Sequence, residues 1–259
     1  MGHIRLGRLP ATKRWQQVVA LVSGGASVEQ IAGASAEAAE NSLEHARNDP
    51  AVRQSFWLLT QIPLAARAPD FPESLQRLGL NVPASPSLFD VLGAFAIAVD
   101  RQSSNSGGRT DLGEMAQHAA AESLAAFVGS ELPSLFGPTP EDVRLAIGKL
   151  AAPDRFARLA RDFFARLTQR HLDYYLSRTL SDHVGPGRQL STADEHVGFG
   201  TALEQHCREA SRIVEAFAGG WFSKANFEGN LTPEKASSFL FVALGKIGRE
   251  LRKRRSLGA

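Results

Sequence analysis

The sequence predicts an all-α protein, a multi-helix bundle of about ten helices around a long central helix at 154–182. That segment contains no Pro or Gly, and its apolar residues recur at helical spacing. β-Branched residues are sparse, whereas the helix-favouring Ala, Leu, Arg and Glu are plentiful. We find no sustained strand-like alternation and no internal repeat of fixed period, which also favours a bundle of irregular helices.

The central helix has two different faces in its first half. The apolar stripe consists of Phe156, Leu159, Ala160, Phe163 and Leu167. The opposite stripe, of mixed charge and suited to a solvated face with i,i+4 pairs, consists of Asp154, Arg158, Asp162, Arg166 and Arg170. Toward Asp182 the apolar residues point in nearly every direction, so we expect the helix to enter from the surface and end in the core.

Capping residues and glycines predict where the N-terminal helices begin and end. Residues 11–23 form an amphipathic helix that a Gly-Gly pair stops. Ser27 caps a short helix, and Ser35 can cap the next one, which is a helix-turn-helix-like arrangement. Asp49 and the Pro that follows it open another helix, since Pro is favoured in the first turn.

Prolines, glycines and caps divide the middle of the chain. We expect short helices near 72–79 and 87–101, and a flexible loop at 102–110, QSSNSGGRT. Asp111 leads into an Ala-rich helix. Thr139 is predicted to cap a further helix, because a Pro and two acidic residues follow it in the first turn.

The C-terminal part is predicted to contain a loop and two helices. The loop covers 183–190, and capping boxes at Ser191 and Thr192 open a helix that runs to about Ala218. Gly219 and Gly220 are expected to end it. The last helix starts at the Thr-Pro-Glu sequence of 232–234 and runs into LRKRRS.

Composition limits the domain organisation and the location. The chain of 259 residues allows one large or two small domains. The prolines and glycines between 63 and 110 favour an N-terminal helical unit at 1–68 and a C-terminal bundle at 69–259; one continuous domain is the alternative. The longest apolar run, 92–99, is too short to span a bilayer. We expect a cytoplasmic protein without membrane contact, consistent with a single Cys.

The segment 218–231, AGGWFSKANFEGNL, has the composition of a partner-binding surface. Aromatic side chains lie among small and polar ones, as in interface hot spots. We expect this segment to be a loop between two helices, and the partner-binding residues to be Trp221, Phe222, Lys224 and Phe227. The alternative is a loop that its aromatic residues anchor to the core.

Nucleic-acid binding is the rival function. Residues 27–48 resemble a helix-turn-helix in spacing, but Asn41 is the only good base-reading candidate, and three Glu share the exposed face. The basic C-terminal residues that could contact phosphates are Arg249, Arg252, Lys253, Arg254 and Arg255. We favour the alternative that these cations belong to a solvated helix end, because they complement the helix dipole there.

Motifs for catalysis, metals and cofactors are missing from the sequence. It has no P-loop, GxGxxG after a strand, GxSxG or HExxH. Glu114, His118 and Glu122 share a helix face, but no second such motif completes a metal site. His171 is predicted to be a core histidine and Cys207 a structural cysteine. We therefore expect no enzyme activity, no metal and no cofactor.

Four phrases, SFWLLTQIPLA, RTDLGEMAQ, LDYYLSR and FAGGWFSK, resemble a family of uncharacterised bacterial helical proteins. The resemblance implies a non-catalytic, cytoplasmic accessory subunit encoded in a multi-gene anti-phage defence operon. Together with the segment 218–231, it leads us to expect a scaffold that binds other protein subunits. Its own oligomeric state does not follow from the sequence.

Overall fold

The computed structural model describes residues 12–39, 46, 48–133, 137–180 and 193–257, and within them the chain forms eleven helices and no strand. The helices are α1 (Lys13–Ser23), α2 (Val28–Ala38), α3 (Pro50–Ala65), α4 (Phe71–Arg77), α5 (Leu88–Asn105), α6 (Asp111–Gly129), α7 (Pro140–Lys149), α8 (Pro153–Leu180), α9 (Ala193–Ala210), α10 (Arg212–Phe227) and α11 (Pro233–Leu257). The predicted all-α bundle and its long central helix, α8, are confirmed. None of the helices in these ranges combines the length and the hydropathy that a bilayer-spanning helix requires.

Side-chain caps fix where the helices begin. Ser27, Ser87 and Thr139 each form a capping box at the start of α2, α5 and α7. One oxygen of the Asp49 carboxylate accepts two N–H groups of the first turn of α3, at 2.9 and 3.1 Å. Its other oxygen accepts the hydroxyl of Thr110, the N-cap of α6. This carboxylate therefore ties the starts of α3 and α6 together.

Helix α8 packs against α1, α2, α6, α9 and α10. Its apolar face is buried from Phe156 to Leu176, as the apolar stripe predicts, and the charged face is exposed at the start of the helix, at Asp154 and Arg158. The expected i,i+4 pairs of the charged stripe are present, for example between Arg166 and Asp162 at 2.6 Å. Asp162 is nevertheless largely covered, since its carboxylate also accepts the hydroxyl of Ser123 on α6 at 2.8 Å.

Aromatic side chains from three helices meet in the core. The ring of Phe56 on α3 lies 5.7 and 5.4 Å from those of Phe163 and Phe164 on α8, and 5.4 Å from that of Phe239 on α11. Buried apolar side chains continue without interruption from α1 to α11. Helices α2 and α3 pack against α11 and α6, which lie beyond residue 68. The division into two domains at that residue stays a prediction.

Helix α2 is buried and continues through the position where a turn was expected. All residues from 31 to 36 are buried, and Ser35 lies inside the helix, so its predicted capping role is wrong. The helix packs against α1, α8, α9 and α11. Its small side chains, Ala32, Gly33, Ala34 and Ala36, let these neighbours approach closely. Asn41, the base-reading candidate of the nucleic-acid alternative, lies outside the described residues.

Two predicted helix ends are wrong, and another helix runs through a proline. Helix α3 continues through Pro63 to Ala65, and α5 continues to Asn105, so only the second half of the loop at 102–110 is non-helical. Gly219 and Gly220 lie inside α10, and the break falls at buried Ser211 instead. Gly219 serves packing, because a Cβ there would lie 2.5 Å from the carbonyl oxygen of Pro153. The predicted loop 183–190 and its following caps lie outside the described residues.

A candidate protein-binding groove

An apolar groove opens between α10 and the first half of α11, beside the turn that joins these helices. Its volume is about 480 Å³. Phe217 and Trp221 line it from α10, and Phe239 and Val242 line it from α11. The spacing of four residues on α10 and three on α11 places each pair on one helix face, and the two faces meet along the groove.

The floor of the groove is an extension of the aromatic core. The ring centroids of Trp221 and Phe239 are 4.3 Å apart, and those of Phe217 and Phe239 are 5.0 Å apart. Phe239 in turn stacks on buried Phe56, with an angle of 7° between the rings. Trp221 is half-buried, so one part of its ring is held by the core and another part faces the groove. The floor is therefore packed on the core, and Phe217 and Trp221 are its partly exposed side chains.

The rim of the groove carries more positive than negative charge. Exposed Lys224 and Lys235 lie among its lining residues, and the Nζ atom of Lys246 lies 5.2 Å from the centre of the Phe217 ring. Among the described lining residues, Glu228 is the single carboxylate. It lies 3.8 Å from Nζ of Lys224 and accepts the side-chain amide of Asn230 at 2.8 Å. The rim thus favours an acidic ligand.

The structure separates the four predicted partner-binding residues. They do not lie in a loop, which is a correction, because α10 continues to Phe227. Trp221 and Lys224 line the groove. Phe222 points about 100° away from Trp221, is 1% exposed and stacks on Phe156 at 3.9 Å, so it belongs to the core. Phe227 is 92% exposed at the end of α10, outside the groove lining.

Sequence reasoning missed the half of the groove that α11 contributes. The sequence did contain a signal for α11. The five consecutive apolar residues from 239 to 243 point in all directions around a helix, so some of them must face away from the protein core. In the structure Phe239, Leu240 and Ala243 are buried, whereas Phe241 and Val242 are 52% and 44% exposed. Phe217 and Lys235 were also missed, since periodicity does not show which side chains of two helices become neighbours.

The basic residues of the nucleic-acid alternative lie near the end of α11. Arg249 and Lys253 are exposed, and Arg252 is half-buried. Nζ of Lys253 lies 3.3 Å from a carboxylate oxygen of Glu250, one turn earlier. The side chains of Arg254 and Arg255 lie outside the described part of the chain. The described cations share the helix end with a carboxylate, as expected for a solvated terminus.

The Glu-His-Glu pattern of α6 does not converge on one point. His118 Nε2 lies 4.0 Å from Glu114, and both side chains are exposed. Glu122 instead pairs with Arg166, at 3.2 Å, and with Arg170, both on α8. Over the described ranges, no group of three or more His, Cys, Asp or Glu could hold a metal ion.

Two buried titratable groups have pKa values that suit structural roles. Burial lowers the pKa of His171 to about 4, so the imidazole is neutral at pH 7, and its ring lies edge-on to that of Tyr175 at 5.5 Å. Burial, with the nearby carboxylates of Asp173 and Glu204, raises the pKa of the Cys207 thiol. This thiol is therefore protonated at neutral pH and a poor nucleophile.

No family model, no curated protein and no solved structure matches this chain. The geometry of the groove and the charge around it are the features that indicate a function.

Proposed function

We propose that this protein is a non-catalytic scaffold or accessory subunit that binds another protein through the groove between α10 and α11. The observation that carries the proposal is the aromatic floor of the groove, where half-buried Phe217 and Trp221 face the opening and pack on buried Phe239. Apolar surface rimmed by polar residues is typical of protein-binding sites. Trp is also among the residues most enriched in interface hot spots.

The fixed position of the floor supports this function energetically. Trp221 contacts Phe239 and lies 6.2 Å, ring to ring, from Phe56, so its orientation is set before a partner arrives. Binding then costs little side-chain entropy on this side of the interface. A partner side chain could enter the groove without rearrangement of α10 or α11, as in most pre-organised complexes.

The chemistry of the groove selects the kind of partner segment. An amphipathic helix or short strand with an apolar anchor would fill the floor, as in other helix-in-groove complexes. Lys224, Lys235 and Lys246 would lie next to residues that flank the anchor, so these residues are expected to be Asp or Glu. Such rim charges mainly raise the association rate and reject basic competitors.

The resemblance noted in the sequence suggests the biological setting. We propose that the protein acts in the bacterial cytoplasm as one subunit of a larger assembly, of which an anti-phage defence system is the example that the resemblance implies. The partner would be another subunit of that assembly.

Two designed peptides test the groove. Both are helical with leucines on one face; one carries glutamates on the other face and its match carries lysines. Binding is followed by anisotropy of labelled peptide. We expect the acidic peptide to bind at least ~10-fold more tightly, a difference of about 1.4 kcal/mol. Equal affinities, or tighter binding of the basic peptide, would contradict the proposal.

A pair of matched variants locates the binding site. Val242→Glu places a carboxylate in the groove, where Val242 is 44% exposed. Leu145→Glu makes the same kind of change on α7, where Leu145 is 49% exposed and does not line the groove. Binding of the acidic peptide should be lost in the first variant and retained in the second. Retention in both would place the binding surface elsewhere.

The nucleic-acid rival is tested on the same protein. Labelled DNA and RNA are titrated at about 50 and 200 mM salt, since phosphate contacts weaken steeply as salt rises. Charge reversal at Arg249 and Lys253 is a better variant than truncation after Lys246, because truncation removes buried Ile247 and Leu251. The rival would replace our proposal if three results came together: the protein binds DNA or RNA in a salt-sensitive way, charge reversal abolishes this binding, and neither peptide binds.

A further inference from the structure

One face of α11 carries a row of side chains that begins in the groove and ends in cations. Residues that alternate four and three positions apart share a helix face. The row consists of Lys235, Phe239, Val242, Lys246, Arg249 and Lys253. Its first three members line the groove. Its last three members continue the same face for about three further turns toward the C-terminal end of the helix.

The basic half of the row faces solvent. Arg249 is exposed, and the side chain of Lys253 is 73% exposed. Lys246 is half-buried, because its Nζ atom lies over the ring of Phe217 at the edge of the groove. The row therefore passes from the apolar floor to the exposed cations with Lys246 between them.

Arg252 is adjacent to the row in sequence but does not belong to it. Its side chain points about 100° away from that of Lys253. A Cβ placed at Gly248, one turn earlier, would lie 3.9 Å from the Nη1 atom of Arg252, so this guanidinium lies beside that glycine. A charge change at Arg252 thus alters the net charge of the helix end without altering the row.

The charge of this half of α11 selects acidic ligands. Glu250 is the single acidic residue of the helix after Glu234, and it lies 3.3 Å from Nζ of Lys253. Three cations face a ligand along the row for this one carboxylate. Complementary charges across an interface raise the association rate and set the register of the partner.

The spacing of the cations matches a helix laid alongside α11. Lys246, Arg249 and Lys253 follow Val242 by four, seven and eleven positions, which is about 6, 10 and 16 Å along the axis. A partner helix has the same rise per residue. Acidic residues that are separated from its apolar anchor by the same numbers of positions would therefore share one face and lie level with these cations.

Helix dipoles favour one direction for the partner. Carboxylates are stabilising in the first turns of a helix, and the C-terminal end of α11 carries partial negative charge. A partner helix that runs antiparallel to α11 places its own positive N-terminal end, and its acidic residues, beside the basic end of the row. In this direction the acidic residues precede the anchor in sequence.

A nucleic acid fits this surface less well than an acidic protein segment does. Glu228 lies at the groove end of the surface, 3.8 Å from Nζ of Lys224, and Glu250 lies at the other end. A continuous phosphate backbone would meet both carboxylates, which is unfavourable. A helix can place uncharged residues opposite them and still fill the apolar floor.

We propose that the ligand of the groove is an amphipathic helix antiparallel to α11, with an apolar anchor in the groove and acidic residues four, seven and eleven positions before the anchor, level with Lys246, Arg249 and Lys253. The position of the anchor rests on the function proposed above. The acidic turns go beyond it, because they add the direction, the length and the charge pattern of the ligand.

Three labelled helical peptides with the same leucine anchor test the charge pattern by anisotropy with the full chain. The first has Glu at the three positions before the anchor, the second has Gln there, and the third has Glu at the matching positions after the anchor. The first should bind about 10-fold more tightly than the second at about 50 mM salt, and the gain should shrink at about 200 mM. Equal affinities of the first two would overturn the proposal, and an equal gain in the third would overturn the antiparallel direction.

Three variants separate the row from the groove. Arg249→Glu should reduce the gain from the acidic turns to below about 3-fold without lowering the melting temperature, because Arg249 is exposed. Arg252→Glu makes the same charge change off the row and should leave most of the gain. Val242→Glu should abolish binding of all three peptides. A gain that survives Arg249→Glu, or that both arginine variants remove equally, would overturn the acidic turns and leave the groove function standing.

Two further outcomes concern the occupant itself. Binding that Val242→Glu leaves unchanged, or no binding of any peptide to wild type, would overturn the groove function and with it the proposed ligand. An unlabelled single-stranded oligonucleotide should not displace the first peptide at about 200 mM salt. Displacement that Arg249→Glu prevents would identify the row as a phosphate-binding surface and overturn the proposal.

Discussion

Adjacent glycines in α10 should respond in opposite directions to the same substitution. A Cβ at Gly219 would lie 2.5 Å from the carbonyl oxygen and 3.0 Å from the carbonyl carbon of Pro153, at the start of α8. This backbone cannot move cheaply, so overpacking costs about 1–3 kcal/mol. Ala gains about 1 kcal/mol of helix propensity over Gly. The difference predicts that Gly219→Ala lowers the free energy of unfolding by up to about 2 kcal/mol.

Gly220→Ala is the matched control. Gly220 is exposed, and a Cβ there would meet nothing within 4 Å. Only the gain in helix propensity remains, so this variant should be more stable than wild type by about 0.5–1 kcal/mol. Urea denaturation followed by circular dichroism at pH 7 measures both changes. Stabilisation by both substitutions would refute the close approach of α10 to α8, and destabilisation by both would refute a helix through this pair.

Two further changes test the core and the caps. Because burial lowers the pKa of His171 from 6.5 to about 4, only the unfolded chain binds this proton between those pH values. Stability is thus full above pH 6.5 and falls by about 3 kcal/mol toward pH 4. Urea titrations of His171→Gln should show a correspondingly flatter pH dependence; an unchanged dependence would contradict burial. Asp49→Ala should cost about 2 kcal/mol in the same assay, since it removes a cap and orphans Thr110. Asp49→Asn should cost under about 1 kcal/mol, and equal losses would exclude the cap as the cause.

Local signals predicted most helix starts but not all helix ends. Caps such as Asp49 and Thr139 act through a few neighbouring atoms, so the sequence alone identifies them. Glycine is ambiguous, because it ends some helices and in others permits close packing. At Gly219 the carbonyl of Pro153, 66 positions away in the chain, decides between these roles. Ser35 is similar, since its burial between helices overrides its preference for a cap.

The candidate site was predictable in composition but not in geometry. The sequence identified Trp221 and Lys224 as candidates because aromatic residues lie among small and polar ones in this segment. In the structure both residues lie on a helix and not in a loop. Phe222 shares that composition, yet a rotation of about 100° places it in the core. The groove itself depends on how α10 packs against α11. Periodicity shows which face of a helix is apolar but not which neighbour covers it.

Site-specific photo-cross-linking tests the central claim most directly. Benzoyl-phenylalanine is placed at position 242 in the groove or at position 145 on α7, cells that produce the protein are irradiated, and cross-linked peptides are identified by mass spectrometry. We expect position 242, and not 145, to join one protein segment in which Asp or Glu flank an apolar residue. The cross-link should disappear when Lys224 and Lys235 are changed to Glu. No protein adduct at 242, or the same adducts at both positions, would contradict a protein-binding groove between α10 and α11.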